Sequence, residues 1–307
     1  MLYKVIYKVY FIKFKNKNID RLYHRLTIRV LNILLPVIFK IFPGNNNSIK
    51  KEQGNKKPEY IVSLTTFPAR INKVWLAIES ILRQKEKPDK IILWLYEGEF
   101  PDKNNLPKNL LSQEKRGLEI RFCDENLMPH KKYFYTMQEY AYASVITVDD
   151  DMIYPPDLIS KFIMYNKKYR GTIICSIGRR INLEDGNILP YKKWEYLSCI
   201  TEPSFQVLPI GCGGIFYPPD SLHSDVFDIN NLKKLAITAD DLWLKVMELK
   251  NNTGVLNISG EYPRFFIPII QKNNINQSNI NIGEGENDRI FKTLMNYYKI
   301  PATIFNQ

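Results

Sequence analysis

Three consecutive aspartates, Asp149, Asp150 and Asp151, follow the apolar, β-branched stretch SVITV (144–148). If that stretch is a buried strand, alternation of side chains turns Asp149 and Asp151 to one side and Asp150 to the other. Two such carboxylates suit Mg²⁺ or Mn²⁺ beside a diphosphate, because these cations take oxygen ligands from carboxylates, phosphates and water. The alternative is a solvated acidic turn that caps the next helix, but a cap needs only one carboxylate.

A second acidic pair, Asp240 and Asp241, stands in ITADDLWLKVMELK (237–250). The pattern predicts a helix start, with Thr238 as the N-cap and Asp241 as the acid of a capping box. The chemical alternative makes Asp241 a general base that takes a proton from an attacking hydroxyl, with Asp240 holding the acceptor or the local charge. Upstream, the glycines of LPIGCGGIFYPPD (208–220) let the backbone approach a bound sugar or phosphate closely.

The elements that must position these acids alternate, from residue 59 onward, between short apolar strands and amphipathic helices. Strands are expected at 60–64, 90–96, 118–124, 144–148 and 172–178, and helices at 72–84, 132–143, 157–169, 237–250 and 287–299. This rhythm predicts an α/β fold with a mostly parallel sheet and helices on both faces. In such sheets ligands bind outside the carboxyl ends of the strands, which is where the acids stand.

The formal net charge of +11 belongs to one end of the chain. Residues 1–57 carry thirteen Lys/Arg against two Asp/Glu, whereas the remaining 250 residues carry 30 of each sign. A neutral body argues against a surface that binds nucleic acid. The four cysteines are far apart and form no CxxC pair, so neither a zinc site nor a disulfide framework is indicated, and reduced thiols in a cytosolic setting fit best.

Residues 1–42 form a basic amphipathic segment. Helical spacing places Arg21, Arg25, Arg29 and Asn32 on one face, and Leu22, Leu26, Val30, Ile33 and Val37 on another. The longest uncharged apolar stretch, 30–39, is shorter than the roughly 20 residues that a membrane-spanning helix needs. We therefore expect contact with an anionic membrane surface. The alternative is a helix packed on the protein's own body.

Two further boundaries follow from composition. PGNNNSIKKEQGNKKP (43–58) is polar and rich in turn formers, which indicates a linker. The main domain then covers 59–307, with 271–307 as a C-terminal tail and helix.

The ordered set of motifs resembles bacterial glycosyltransferases of the GT-A fold, a Rossmann-like α/β architecture. The resemblance is carried by VSLTTFPAR (62–70), LMPHKKY (127–133), ITVDDDMIYPP (146–156), GCGGIFYPP (211–219) and ADDLW (239–243), and it covers residues 59–260. The set of motifs is similar to that of the family-2-like enzymes that build capsule and lipopolysaccharide sugars. We therefore predict a metal-dependent transferase that moves a sugar from a nucleotide-diphosphate sugar to a glycan or lipid-linked acceptor, with a UDP-sugar as the first expectation for the donor. A base opposite the leaving group implies inversion at the anomeric carbon.

The resemblance also implies roles for individual residues. Asp149 and Asp151 would contact the metal and the diphosphate, and Asp150 the ribose side. The donor would further meet Thr65, Thr66, Arg70, Lys131 and Lys132, although exposed lysines beside a helix are an equally ordinary interpretation of the last two. Asp241 would be the base of the family's acidic pair, with Asp240 beside it. We assign acceptor binding to Gly213, Gly214 and Trp243.

Two features depart from this pattern. LYEGEFP (95–101) lacks the Asp-Asp-Gly-Ser-like turn that such enzymes use to recognise the nucleobase. His223 is either a further metal ligand or an ordinary surface residue. Two rival functions remain: a Mg²⁺-dependent nucleotidyl- or phosphotransferase, and a non-catalytic carbohydrate-binding module whose acids bind Ca²⁺. The expected location is the cytoplasmic face of the cell membrane, where lipid-linked acceptors lie.

Overall fold

The strands and helices expected from the sequence are present in the computed structural model, which describes residues 2–44, 49–50, 57–271 and 285–306. The strands are β1 (Tyr60–Thr65), β2 (Lys90–Tyr96), β3 (Leu118–Cys123), β4 (Ser144–Thr147), β5 (Met152–Ile153), β6 (Ile173–Cys175), β7 (Gly178–Arg180), β8 (Leu183–Glu184), β9 (Asn187–Ile188), β10 (Glu195–Tyr196), β11 (Val207–Pro209), β12 (Ile215–Tyr217), β13 (Val255–Asn257) and β14 (Ile267–Pro268). The helices are α1 (Leu2–Tyr10), α2 (Lys17–Ile41), α3 (Val74–Leu82), α4 (Lys108–Leu111), α5 (Lys131–Glu139), α6 (Leu158–Lys168), α7 (Ile229–Leu235), α8 (Asp240–Lys250) and α9 (Glu286–Tyr297).

Seven strands form the central sheet, in the order β13-β6-β12-β4-β1-β2-β3. Every pairing is parallel except those of β12, which runs antiparallel to both β4 and β6. The prediction of a mostly parallel sheet is therefore confirmed. The sequence did not predict β12, because its three residues follow directly on a stretch that we interpreted as a glycine turn.

The strand order creates a crevice at one edge of the sheet. From β1 the chain proceeds outward to β2 and β3, and it then returns to β4 on the other side of β1. Connections that diverge from adjacent strands leave room for a ligand at the carboxyl ends of those strands. Thr65 and Thr66 stand at the end of β1, and the aspartate triplet follows β4. The fold thus brings these two motifs together.

Both faces of the sheet are covered. On β1, Val62 and Leu64 pack into a core cluster with α3 and α6, whereas Ile61 belongs to a separate cluster with Trp94 and Tyr140. A strand whose alternate residues enter different cores is buried on both sides. This burial explains why YIVSL reads as a continuous apolar stretch.

The N-terminal segment consists of two antiparallel helices that pack on the body. The rings of Tyr3 and Phe39 lie 5.7 Å apart, and those of Tyr10 and His24 lie 5.4 Å apart. Within the described residues, α2 is the one helix long and apolar enough to cross a membrane, by length and composition alone, and near an N-terminus this is weak support for a span. It continues through Pro36, in keeping with the helical spacing that the sequence shows as far as Val37.

Asn32 needs a correction. It does not share the exposed face of the arginines, because its side chain hydrogen-bonds the backbone of Pro268 and Ile270 in the body. Much of the linker expected at 43–58 and of the tail expected from 271 lies outside the described residues, so both stay predictions.

Candidate active site

The aspartate triplet does not continue the strand before it. β4 ends at Thr147, and Asp150 and Asp151 occupy a turn, so the expected alternation of side chains is wrong. Asp150 is buried and accepts hydrogen bonds from Thr66 Oγ1 at 2.5 Å and Arg70 Nη1 at 2.7 Å. The same Nη1 lies 3.0 Å from Asp151 Oδ2. Arg70 therefore joins Asp150 to Asp151, where the sequence predicted that they would project apart.

Lys132 links the two acidic motifs. Its Nζ lies 2.7 Å from Asp149 Oδ1 and 2.8 Å from Asp240 Oδ2, although 90 residues separate these aspartates. The lysine is 4 % exposed, and burial opposes its charge, but Asp149 and Asp240 raise its pKa well above the ordinary value. Lys131 is also buried and donates to Asn126 Oδ1. The interpretation of both lysines as solvent-exposed is therefore wrong.

Asp241 faces the glycine turn before β12. The backbone N–H of Gly211 donates to Asp241 Oδ1 at 3.1 Å. α8 begins at Asp240 after Ala239, without a side-chain cap, so the expected capping box is not formed there. A Cβ added at Gly211 would lie 2.9 Å from Lys132 Nζ and 3.1 Å from Asp241 Oδ1. A side chain at this position would therefore push against the Lys132 ammonium and the Asp241 carboxylate.

The pKa values of the two carboxyl groups, those of Asp240 and Asp241, are shifted in opposite directions. Burial raises the pKa of Asp241 well above its ordinary value, and the charge of Asp240 adds to the effect. Burial also opposes the charge of Asp240, but the Lys132 ammonium outweighs it and the pKa of Asp240 is lowered. Two neighbouring acids with diverging pKa values are typical of acid–base sites. Asp240 is thus the stronger acid of the two, and its carboxylate is paired with Lys132.

A cavity of about 330 Å³ opens beside these groups at the carboxyl edge of β1 and β4. Its lining comprises Thr65, Thr66, Phe67, Arg70, Glu99, Asn126, Met128, Pro129, Lys131, Lys132, Asp149, Asp150 and Asp240. All the residues assigned to the donor thus line one cavity. Thr65 does so with its hydroxyl already bonded to the Trp94 carbonyl. The sequence interpretation missed Phe67, Glu99 and Asn126.

Glu99 is the most informative of the missed residues. Its Oε1 lies 3.5 Å from Asn126 Nδ2, and its buried Oε2 has no hydrogen-bond partner among the described residues. A buried acceptor without a donor is costly unless a ligand supplies one. Glu99 follows β2 at the carboxyl edge, so the rule that placed the triplet at the site could have found it.

The donor set fits a divalent cation. Asp149, Asp150, Asp151, Asp240 and Asp241 converge on two cationic side chains, those of Lys132 and Arg70. Burial, and after it the charge of Asp149, raises the pKa of Asp151 to about 7. In the described part of the chain, no group of three or more His, Cys, Asp and Glu is arranged to hold a metal alone. Asp149 and Asp151 could hold Mg²⁺ or Mn²⁺ whose other ligands are phosphates and water.

Three assignments to acceptor binding do not match the structure. Trp243 is fully buried and donates to the Val226 carbonyl, so it is a core residue. Gly213 and Gly214 are also buried, and a Cβ at Gly213 would lie 2.7 Å from Ser176 Oγ. These glycines therefore serve packing. His223 accepts from the Asp225 N–H and caps a short helical turn, outside the cavity lining.

Another cluster lies near Asp241 that the sequence did not point to. The Arg179 guanidinium stands 4.6 Å from the ring centre of Tyr191 and 4.3 Å from that of Tyr196. Burial raises the pKa of both phenols, and the Asp241 charge contributes to both shifts. Arg179 Nε is buried and lacks a hydrogen-bond partner within the described residues. A cation and aromatic faces beside the proposed base form a surface suited to a sugar or an anionic group.

His130 anchors the helix that carries Lys132. Its Nε2 lies 2.9 Å from the Ala236 carbonyl and its Nδ1 lies 2.9 Å from the Tyr133 hydroxyl. The carbonyl can only accept, so Nε2 carries the proton and Nδ1 accepts from Tyr133. Burial lowers the pKa of His130 to about 4. The neutral ring therefore connects the start of α5 to the segment before Asp240.

This shift predicts acid sensitivity. The pKa is about 4 when folded and about 6.5 when unfolded, so the unfolded chain binds more protons between these values and stability falls as pH falls. We expect His130 to account for a loss of about 2 kcal/mol between about pH 7 and pH 5. Urea denaturation at both pH values would measure this loss. In His130→Gln the loss should be smaller by about 2 kcal/mol, because the variant has no imidazole to protonate. An equal pH dependence in the variant would contradict the assignment.

Comparison with known proteins adds little to this description. No protein-family model and no curated protein matches the chain. Among solved structures, it is similar to an apo UDP-glucose pyrophosphorylase, with 10% identity, a TM-score of 0.39, and coverage of 80% of this chain and 99% of the other. It is also similar to a mannosyltransferase from Pyrobaculum calidifontis in complex with GDP-Man and Mn²⁺. There the identity is 10%, the TM-score 0.38, and the coverage 76% of this chain and 64% of the other. At these TM-scores neither likeness bears on fold or function.

Proposed function

We propose that the protein is a metal-dependent, inverting glycosyltransferase that uses a nucleotide-diphosphate sugar. The observation that carries the proposal is the Lys132 bridge between Asp149 and Asp240. This ion-pair network joins the aspartate triplet to the second acidic pair at the edge of the sheet where α/β proteins bind ligands. It supports a cation and diphosphate site beside the Asp241 carboxylate. The GT-A resemblance of the sequence motifs supports the same reaction.

The donor lies in the cavity beside β1. Thr66 and Arg70 hold Asp150 in place, and Lys132 and Arg70 present cationic groups to the diphosphate. Asp149 and Asp151 would hold a divalent cation, which would supply positive charge opposite the negative charge that develops on the leaving diphosphate. Glu99 offers a buried acceptor to an N–H of the nucleotide. A UDP-sugar remains our first expectation for the donor.

Asp241 performs the proton transfer. It takes the proton of the acceptor hydroxyl while that oxygen bonds to the anomeric carbon and the bond from this carbon to the diphosphate oxygen breaks. Attack from the side opposite the leaving group inverts the anomeric configuration. Burial and the charge of Asp240 raise the pKa of Asp241, which makes its carboxylate a stronger base than an exposed one. Asp240, paired with Lys132, stays ionised.

The acceptor side is the Arg179 cluster. Tyr196 offers a half-exposed ring for sugar stacking, and Arg179 offers an unpaired N–H to a hydroxyl or an anionic group. We propose a glycan or a lipid-linked glycan as acceptor, at the cytoplasmic face of the cell membrane, in the synthesis of capsule or lipopolysaccharide.

Replacement of the base separates donor binding from transfer. Asp241→Asn keeps an oxygen for the Gly211 N–H but cannot take a proton, so we expect donor affinity within about twofold of wild type and transfer reduced about 10²- to 10⁴-fold. Isothermal titration with the donor and a transfer assay would measure the two quantities. Asp228→Asn, at the cap of α7, is the matched control. Full transfer activity in Asp241→Asn would reject this residue as the base.

The identity of the products tests the reaction class. Sugar transfer releases a nucleoside diphosphate, whereas nucleotidyl transfer, which needs the same carboxylates and cation, releases pyrophosphate or consumes it. Release of pyrophosphate would overturn the proposal in favour of the nucleotidyltransferase. Donor binding without turnover on any acceptor, with preference for Ca²⁺, would favour the binding module.

A further inference from the structure

We propose that α1 and α2 form a two-helix surface that lies flat on an anionic lipid bilayer and holds the catalytic domain against it. This surface comprises the side chains of residues 2–42 that point away from the body. The proposal goes beyond the proposed function, because bilayer binding does not depend on which reaction the site catalyses. Only its consequence for the acceptor rests on that function.

Exposed apolar side chains are concentrated in these two helices. The described part of the chain exposes 21 large apolar side chains, and 14 of them lie in the first 42 residues. On α2 they include Leu22, Leu26, Val30, Ile33, Val37 and Ile41, with exposures from 50 % to 70 %; on α1 they include Leu2, Val5 and Val9. Exposed apolar side chains in this number along two neighbouring helices indicate an interaction site.

The opposite face of α2 is bound to the body along its length. Asp20 pairs with Arg264 near its start, with Oδ2 and Nη1 2.9 Å apart. Asn32 Nδ2 donates to the Pro268 carbonyl at 2.9 Å, and Phe39 near its end is buried below the Arg83 guanidinium. Arg83 also donates to the Phe42 carbonyl at the end of the helix. Along the helix axis, Asp20 and Phe42 are about 33 Å apart. A helix fixed to one body over that distance lies parallel to the surface of that body and does not span a bilayer.

The charges around the apolar surface favour an anionic membrane. Arg21, Arg25 and Arg29 are exposed and border it on α2, and Lys4 and Lys8 are exposed on α1. Asp20, the acidic residue of the segment, is neutralised by Arg264. In a two-fold dimer the same surface would meet its copy, so these cations would face like charges. Anionic headgroups instead complement them.

Helix α1 contacts the segment that follows the aspartate triplet, and this segment pairs with β14. The Tyr7 and Tyr3 hydroxyls donate to the carbonyls of Ile153 and Tyr154, a few residues after the aspartate triplet. β14 pairs with β5, and the Ile269 N–H donates to the Asp151 carbonyl at 2.7 Å. The bilayer is thus held at a fixed position relative to Asp151. Under the proposed function, this geometry favours an acceptor anchored in the membrane.

Vesicle flotation tests the proposal directly. The full-length protein should float with vesicles of 30% anionic phosphatidylglycerol, and about tenfold less with phosphatidylcholine alone or at high salt. Leu26→Glu with Ile33→Glu should reduce binding at least tenfold, and Arg21, Arg25 and Arg29 replaced by Gln should abolish the preference for anionic lipid. Met164→Glu, an equally exposed apolar residue on α6, should bind as wild type. Unchanged flotation of the Leu26/Ile33 variant would overturn the proposal.

Two further experiments measure the depth of the helices in the bilayer and the self-association of the protein. Tryptophan placed at Leu22, Ile33 or Ile41 should be quenched equally by shallow brominated lipids, because a flat helix keeps one depth; deep quenching confined to Ile33 would indicate a span. A dimer in solution that Ile33→Glu dissociates would assign the surface to a second copy. Either result would overturn the proposal. These assays contain no sugar donor, so they fail or succeed independently of the reaction.

Discussion

Replacing Asp149 or Asp151 by asparagine should lower sugar transfer about 10³-fold or more, since the cation site would lose a charged ligand worth about 4 kcal/mol of transition-state stabilisation. Both variants should stay folded, because each replacement removes one charge from a cluster in which five carboxylates meet two cations. The measurement is the initial rate of nucleoside diphosphate release over a Mn²⁺ titration, with a chelator as the zero point.

A second measurement separates metal binding from folding. In wild type, Mn²⁺ with a nucleoside diphosphate should raise the melting temperature, because a ligand that binds only the folded state stabilises it. The two variants should lose this increase while their melting temperatures without ligand stay close to that of wild type. Asp185→Asn, in the exposed turn between β8 and β9, is the matched control. Wild-type turnover in either site variant would refute the metal assignment.

Removing one partner of a buried ion pair in α8 should have the largest effect on stability. Lys245 and Glu248 are fully buried, and Lys245 Nζ donates to Glu248 Oε1 and, at 2.8 Å, to the Val207 carbonyl of β11. Lys245→Met leaves the Glu248 carboxyl without this donor in the core. We expect a loss of about 3–5 kcal/mol in the free energy of unfolding by urea denaturation.

The double variant identifies the cause. Lys245→Met with Glu248→Leu removes both polar groups, and replacing a buried ion pair by apolar side chains is often neutral or stabilising by about 1–4 kcal/mol. We therefore expect most of the stability to return. If the double variant were as unstable as Lys245→Met alone, packing rather than an unpaired buried group would explain the loss. Because α8 carries Asp240 and Asp241, the same variants also report how firmly the acids are held.

The sequence was sufficient for the framework of the sheet. The strands at 60–65 and 90–96 are buried parallel strands, and a continuous apolar stretch bounded by polar turns indicates that state directly. The edge strand at 118–123 is also parallel, but it alternates between buried apolar residues and half-buried charged ones. β12 escaped because three residues carry almost no periodic signal and glycines precede them. The pairing of α1 with α2 also escaped, since a helix that is apolar on two faces gives no sign of which one the body covers.

Within the site, residue types were predictable but contacts were not. The triplet, Arg70 and Lys132 could be assigned to one ligand, because motifs at strand ends converge on one edge. The turn that joins Asp150 and Asp151 through Arg70 depends on where β4 stops, and no local pattern marks that end. Trp243 was misassigned because its position in a motif says nothing about its burial. Arg179 was missed because it lies on β7, whereas Tyr191 and Tyr196 lie on later segments, so no local sequence pattern connects the three residues.

The reversed direction of β12 determines which loops can cooperate in the reaction. Ile215 pairs with Thr147, the last residue of β4, so the chain that enters β12 arrives at the edge that β4 leaves. Had β12 run parallel, its preceding turn would lie at the far edge, and Gly211 could not reach Asp241. The reversed strand therefore brings two loops that are distant in sequence to the same edge of the sheet. Substitutions in either loop should be coupled energetically in a double-mutant cycle, as they would not be across an all-parallel sheet.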